Sequence, residues 1–165
     1  MVTKLPATER FFQPGISKVY WIPTIADAET LIPTRAEIDA GTDLSDEIAN
    51  ISGFTVTTAM ISTPDYGKRF SGQISGRTSV AESSLSFHAD RQGDDVRTVL
   101  ARGDRGFLLF ADHGDALDMP ADVYPAEVSS LGKVRSVTDT DLQLTVMFAI
   151  TKQPAEDISL PAPTP

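Results

Sequence analysis

The alternation of apolar and polar side chains is clearest near the C-terminal end of the chain. Leu142, Leu144, Val146, Phe148 and Ile150 fall on one face of an extended segment, and Gln143, Thr145, Met147, Ala149 and Thr151 fall on the other. This period of two predicts a strand with one buried face, about 30 Å long at roughly 3.4 Å per residue. A second patterned stretch, residues 82–112, reads strand, helix, strand. Leu85 and Phe87 alternate with small polar residues over 84–88, and Val96, Val99 and Leu100 give residues 94–102 a short apolar stripe at helical spacing. Asp94 and Asp95 favour that helix start and Gly103 its left-handed stop. Phe107-Leu108-Leu109-Phe110 then run on without a polar break, as in a strand covered on both faces. A helix laid over a sheet is the expected core.

The remaining elements are shorter. Residues 17–22 predict a strand closed by Pro23; it holds Trp21, which reads first as part of the domain's own interior and second as an interface anchor. In residues 34–41, Thr34 and Glu37 have the spacing of a capping box, with Pro33 before and Gly41 after. The resulting helix has barely two turns, so packing must hold it. Residues 54–61 predict a strand with Phe54, Val56 and Met60 on one face and Thr55, Thr57, Ala59 and Ile61 on the other. Pro120 and Pro125 restrict residues 119–129 to an edge or bulged strand. Residues 131–137 are short, and Asp139-Thr140-Asp141 is a turn into the last strand. Residues 62–80, with Pro64, Gly67, Gly72 and Gly76, read as a long protruding loop or twisted hairpin. Because Tyr66 and Phe70 lie within it, a partner-binding loop and a flexible decoration are equal readings. A single domain over 17–152 is thus flanked by an N-terminal arm, 1–16, and a Pro-rich tail, 153–165, expected to be extended or mobile.

Length and composition narrow the class. The 165 residues suit one domain, which buries roughly 68–70% of its unfolded surface and needs no staple. The absence of cysteine excludes disulfides and thiolate metal sites. No apolar run approaches a signal peptide or a membrane span, so a soluble protein made in the cytoplasm is expected. The net charge of −9 is uneven: residues 27–50 hold seven acids against Arg35, and residues 104–127 hold six against Arg105. Residues 66–80 reverse the sign, with Lys68, Arg69 and Arg77 and no acid. Solvated surface is one reading; patches that meet on neighbouring subunits is the other. So acidic a chain is a poor reader of nucleic acid, which demands cationic contacts to phosphate.

Candidate chemistry is thin. His88-Ala89-Asp90 and Asp112-His113-Gly114-Asp115 offer nitrogen and carboxylate ligands, but neither has a metal-site spacing. No nucleophile elbow supports a Ser-His-Asp triad, and Gly72-Gln73-Ile74-Ser75-Gly76 lacks the strand-turn-helix setting of a phosphate loop. The expectation is a protein without catalytic, cofactor or metal residues.

One block is informative as a whole. Pro33-Thr34-Arg35-Ala36-Glu37-Ile38-Asp39-Ala40-Gly41-Thr42-Asp43-Leu44-Ser45-Asp46-Glu47-Ile48, followed by Ile51-Ser52-Gly53-Phe54, resembles the major tail tube proteins of long-tailed bacteriophages of actinobacterial hosts. The order of elements is compatible with that family along residues 17–151. The resemblance implies a virion protein, assembled in the host cytoplasm, whose six-subunit rings stack into a tube with a β-barrel lumen that DNA crosses. Tail terminator, tape measure and tail-tip proteins are the implied partners. The fold expected is β-rich α+β: two packed antiparallel sheets in a tail-tube-like sandwich, one or two short helices, a protruding loop and extended termini. On this reading Phe11, Phe12, Tyr66, Lys68, Arg69, Phe70 and Arg77 are interface candidates, with Asp43, Asp46 and Glu47 as an acidic counterpart. Thr55, Thr57, Gln143 and Thr145 are candidates to face the lumen. The alternative is a monomeric β-sandwich module binding a ligand or receptor, with Trp21 or Tyr66 stacking on a sugar.

Overall fold

The computed structural model describes residues 3–138 and 140–163. Asp139 of the expected turn, Met1 and Val2 of the arm, and Thr164 and Pro165 of the tail lie outside them.

The apolar alternation builds one large antiparallel sheet. Its strands are β1 (Lys18–Ile22), β2 (Thr42–Asp43), β3 (Ile48–Ser52), β6 (Ser83–His88), β7 (Arg105–Ala111), β8 (Pro120–Val134), β9 (Gln143–Ile150) and β10 (Ala155–Ser159). They run in the order β2-β1-β7-β8-β9-β6-β3, and β10 pairs with the start of β8. A flat sheet of that order would hold β2 and β3 about 29 Å apart, at roughly 4.8 Å per strand. The chain joins them through residues 44–47 alone, a reach from Asp43 to Ile48 of at most about 18 Å. The sheet therefore rolls until its two edges approach each other. Trp21 of β1 and Phe148 of β9 consequently meet across the interior, with ring centroids 6.2 Å apart.

Rolling creates two apolar layers. Val19, Trp21, Leu85, Phe87, Leu108, Phe110, Leu144 and Val146 line the inside, where Val96 and Leu100 also bury. On the outside of β1 and β7, Ile22, Leu109 and Ala111 pack with Leu31, Ile38, Ile158 and Leu160. The unbroken run in β7 is thus covered on both faces, as expected. The β-rich sandwich expected from the sequence is present, with both of its layers supplied by the rolled sheet.

Helix is scarce. The capping box forms as expected: Thr34 accepts from the Glu37 amide, the Glu37 carboxylate accepts from the Thr34 amide at 2.7 Å, and α1 (Arg35–Asp39) follows. The expected helix over 94–102 does not form. The chain makes only a 3-10 turn at Val96–Thr98. Asp90 accepts from the amides of Gln92, Gly93 and Asp94, while Asp95 accepts from those of Asp90 and Arg97. These side chains offer the backbone turns in place of helix, and the segment is too short to repay nucleation. Val96 and Leu100 still bury, so the apolar stripe was a sound guide to the core but not to the backbone.

Two further expectations are corrected. Of the edge or bulged strand expected over residues 119–129 the bulged form is present, but it is not an edge and it is not separate from residues 131–137: the two form the single strand β8, inside the sheet, with a bulge between Val128 and Ser130. Pro125 is tolerated because its carbonyl faces the end of β9, where it accepts from the Thr151 amide. The donor that proline lacks lies on that same side, at the very end of the β8–β9 ladder, so only the return bond to the Thr151 carbonyl is forgone. The tail, in turn, is not loose: Ala155–Ser159 is β10, and Ile158 and Leu160 enter the outer core.

A second, two-stranded sheet stands apart. Among the described residues β4 (Val56–Thr63) pairs only with β5 (Gly72–Val80), so residues 62–80 belong to a hairpin of which 64–71 is the tip. The hairpin continues the β3–β6 pair beyond a sharp bend.

Candidate assembly surface

The bend is set by a few residues. Gly53 and Phe54 both have positive φ, +84° and +54°. That conformation suits glycine but strains phenylalanine, and the strain is repaid by burial. Phe54 turns inward, against Phe110, Tyr124 and Phe148, with ring centroids 4.8, 5.4 and 6.2 Å away. Its amide donates to Ser83 Oγ at 2.9 Å, and its carbonyl accepts from the Tyr124 hydroxyl at 2.6 Å. Burial pushes the Tyr124 phenol up to about 12. The alternation over residues 54–61 sets Phe54 in a strand beside Val56 and Met60; it precedes β4 and anchors the hairpin root instead. Only the Gly-Phe pair at a strand start hinted at this.

Beyond the root the hairpin leaves the body of the protein. Met60 is 64% exposed, Phe70 82% and Tyr66 fully exposed, and Ile61 and Ile74, paired across the two strands, are half exposed. A bulge opposite Ala59 holds Gly76, where a Cβ would lie 2.9 Å from the Ala59 carbonyl oxygen. At the tip Lys68 pairs with Asp65 at 3.2 Å, an exposed contact. Among the described residues Arg69 and Arg77 have no carboxylate within ion-pair distance.

The candidate interface residues do not form one patch. Asp43 pairs with Lys18 at 2.9 Å at the β1–β2 edge, and Asp46 and Glu47 follow in the 3-10 turn Ser45–Glu47. Nearby, Arg35 binds Asp115 at 2.7 Å and also Asp39, and Tyr20 donates to Asp115 at 3.0 Å. Burial, then Asp115, keeps the Tyr20 phenol protonated far above its ordinary range. The two acidic stretches of sequence thereby converge on one end of the protein. On the arm, Phe12 is exposed and Phe11 stacks obliquely on His113, 5.2 Å between centroids. Trp21 is buried and unavailable for a ligand.

The lumen candidates separate as well. Thr55 and Thr57 are exposed on the hairpin, whereas Gln143 and Thr145 lie on the outer face of β9. Register places Thr145 in a cross-sheet row with Asn50, Ser86 and Gly132, Gln143 in a row with His88 and Val134, and Met147 in a row with Ser52, Ser84 and Ser130. In a chain of which 22% is charged, these rows hold no Asp, Glu, Lys or Arg. These uncharged rows span four strands and end at the next row, where Ala149 pairs with Glu127 and Glu127 with Arg105.

The histidines serve structure. His88 Nδ1 bonds to Asp141, which that contact and Gln143 hold below the usual carboxylate range. Among the described residues no three His, Asp or Glu side chains are placed to hold a metal ion. No described helix is long and apolar enough to cross a membrane.

The bare apolar hairpin and the uncharged sheet face give this rolled β-domain surfaces suited to contact with other chains. A family model described as phage tail tube protein matches residues 6–163, and the chain belongs to that family. It is accordingly a non-enzymatic component of a phage tail. In fold it is similar to a chain of the anti-feeding prophage baseplate, solved by cryo-EM with 6-fold symmetrisation: TM-score 0.55, 11% identity, covering 92% of this chain and 97% of that one. No curated protein sequence matches.

Proposed function

We propose that the protein forms six-subunit rings that stack into the tail tube of a siphovirus-type phage infecting an actinobacterium, and that DNA leaves the capsid through the lumen. The observation that carries the reading is the β4–β5 hairpin. An isolated two-stranded hairpin is marginal in water, yet this one carries Met60, Ile61, Ile74, Tyr66 and Phe70 without cover in its own chain. Its outer edges also leave backbone groups unpaired, which invites pairing with further copies and closure into a barrel.

The neutral rows containing Gln143 and Thr145, together with Thr55 and Thr57 on the hairpin, face the lumen. A wall without cations lets phosphates pass without being held. Ring stacking sets Lys68, Arg69 and Arg77 against Asp43, Asp46 and Glu47 of another copy, a heterologous contact that propagates. Such pairs contribute about 0–1 kcal/mol each and steer register, while Tyr66, Phe70, Phe11 and Phe12 supply apolar contact. The tube is assembled in the host cytoplasm and meets tape measure, terminator and tail-tip proteins. Negative-stain microscopy beside light scattering tests the reading. Rings or hollow tubes support it; a lasting monomer would favour the ligand-binding module.

A further inference from the structure

Where the rolled sheet brings its edges together, it does not close. Among the described residues β3 has β6 as its only ladder partner, so alternate backbone groups of Ile48–Ser52 face outward unpaired. On the other side of the seam the Val19 amide and carbonyl are taken by Ser45 Oγ at 2.9 Å and the Leu44 amide at 2.8 Å. Between them runs a groove of about 380 Å³, lined by Val19, Ser45, Ile48, Ile51, Phe110 and Asp112. Its floor is apolar, one side is a bare strand edge, and Asp112, Asp46 and Glu47 give the neighbourhood a negative charge.

The root of the N-terminal arm lies on this groove but leads away from it. The Gln13 carbonyl accepts from the amides of Ile16 and Ser17, closing a turn through Gly15 at φ +84°. Gln13 Nε2 then donates to Asp112 at 2.9 Å, and Phe11 goes on to His113. The arm is so directed along the 112–115 turn, with Leu5 and Phe12 bare and the groove of its own subunit unfilled.

We propose that the groove receives the arm of a second copy: residues 3–12 add an extended strand to the free edge of β3 and seat an aromatic side chain over Val19 and Phe110. Three observations agree. The ten residues are extended without regular structure and span up to about 33 Å. They bring Leu5, Phe11 and Phe12 to an apolar floor, and Lys4 and Arg10, against the single acid Glu9, to the acidic rim. Strand addition also satisfies the backbone groups that the sheet leaves open. The proposal rests on the self-association reading above and names the place where the arm acts.

The lack of cysteine makes the test clean. Phe12→Cys and Ile51→Cys are made in separate full-length chains, mixed, allowed to associate and oxidised, and linked peptides are identified by mass spectrometry. The proposal expects a 12–51 link between chains, lost when a synthetic peptide of residues 1–16 is added in excess. A dilute double variant linking 12 to 51 within one chain would overturn the exchange. Microscopy of the same mixture separates the two claims. Tubes without the interchain link would overturn the arm exchange and leave the tube; the link without tubes would do the reverse; neither would remove both.

Discussion

Gly53 holds a backbone conformation no other residue takes without strain, and a Cβ there would strike the Glu82 carbonyl. Gly53→Ala is therefore expected to destabilise the fold by about 2–4 kcal/mol in denaturant unfolding. Gly132→Ala, with open space around it, is expected to stay within about 0.5 kcal/mol. Tyr124→Phe leaves the Phe54 carbonyl without its donor and is expected to cost about 1–2 kcal/mol. It also has a pH signature. The folded phenol titrates at about 12, above the ordinary value of 10.0, because burial favours its neutral form. That contribution is complete below pH 10, and falls away as the pH rises from there towards about 12. Unfolding measured at about pH 9 and about pH 11 should show a smaller alkaline loss in Tyr124→Phe than in the parent.

At the scale of elements, the sequence was legible wherever one local rule decided the outcome. The alternation over Leu142–Ile150 gave β9, the Thr34–Glu37 spacing gave the cap of α1, and the apolar run gave β7 with both faces covered. Failures came where polar side chains close by, or strands far off in sequence, overrode the apolar pattern. Asp90 and Asp95 drew the 94–102 segment into turns, Pro125 found the end of the β8–β9 ladder, where only one return bond is forgone, and the prolines around residues 155–159 hid a strand whose partner lies more than thirty residues away. The assembly surface was half legible: Tyr66, Phe70 and the cations stood out, but the root at Gly53–Phe54 and the neutral four-strand face require register to be seen. The hairpin is separable from the domain's interior. Replacing residues 57–79 by a short Gly-Ser turn should leave cooperative thermal unfolding of the body intact and abolish association in light scattering. Unfolding of the body in that variant would show that the hairpin stabilises its own subunit instead.

For the whole molecule, the economy of the fold lies in what it leaves open. Both faces of β1 and β7 are buried, whereas the hairpin, the edge of β3 and the outer face of β9 are left uncovered by the described residues of the chain itself. Charge follows the same division, with acids gathered around α1 and the 112–118 turn, and with arginines on the hairpin that have no ion-pair partner among the described residues. Replacing Lys68, Arg69 and Arg77 together by Glu should leave the monomer folded and block tube growth, as judged by particle length in negative stain; tubes of normal length would sink the stacking contact. A cryo-EM reconstruction of the assembled protein tests the central claim most directly. The account expects six-fold rings in which β4 and β5 of each subunit pair with neighbouring chains in a continuous wall around a neutral lumen. Particles with the hairpin free in solvent, or a monodisperse 17.8 kDa monomer whose hairpin amides are already protected from exchange, would contradict it.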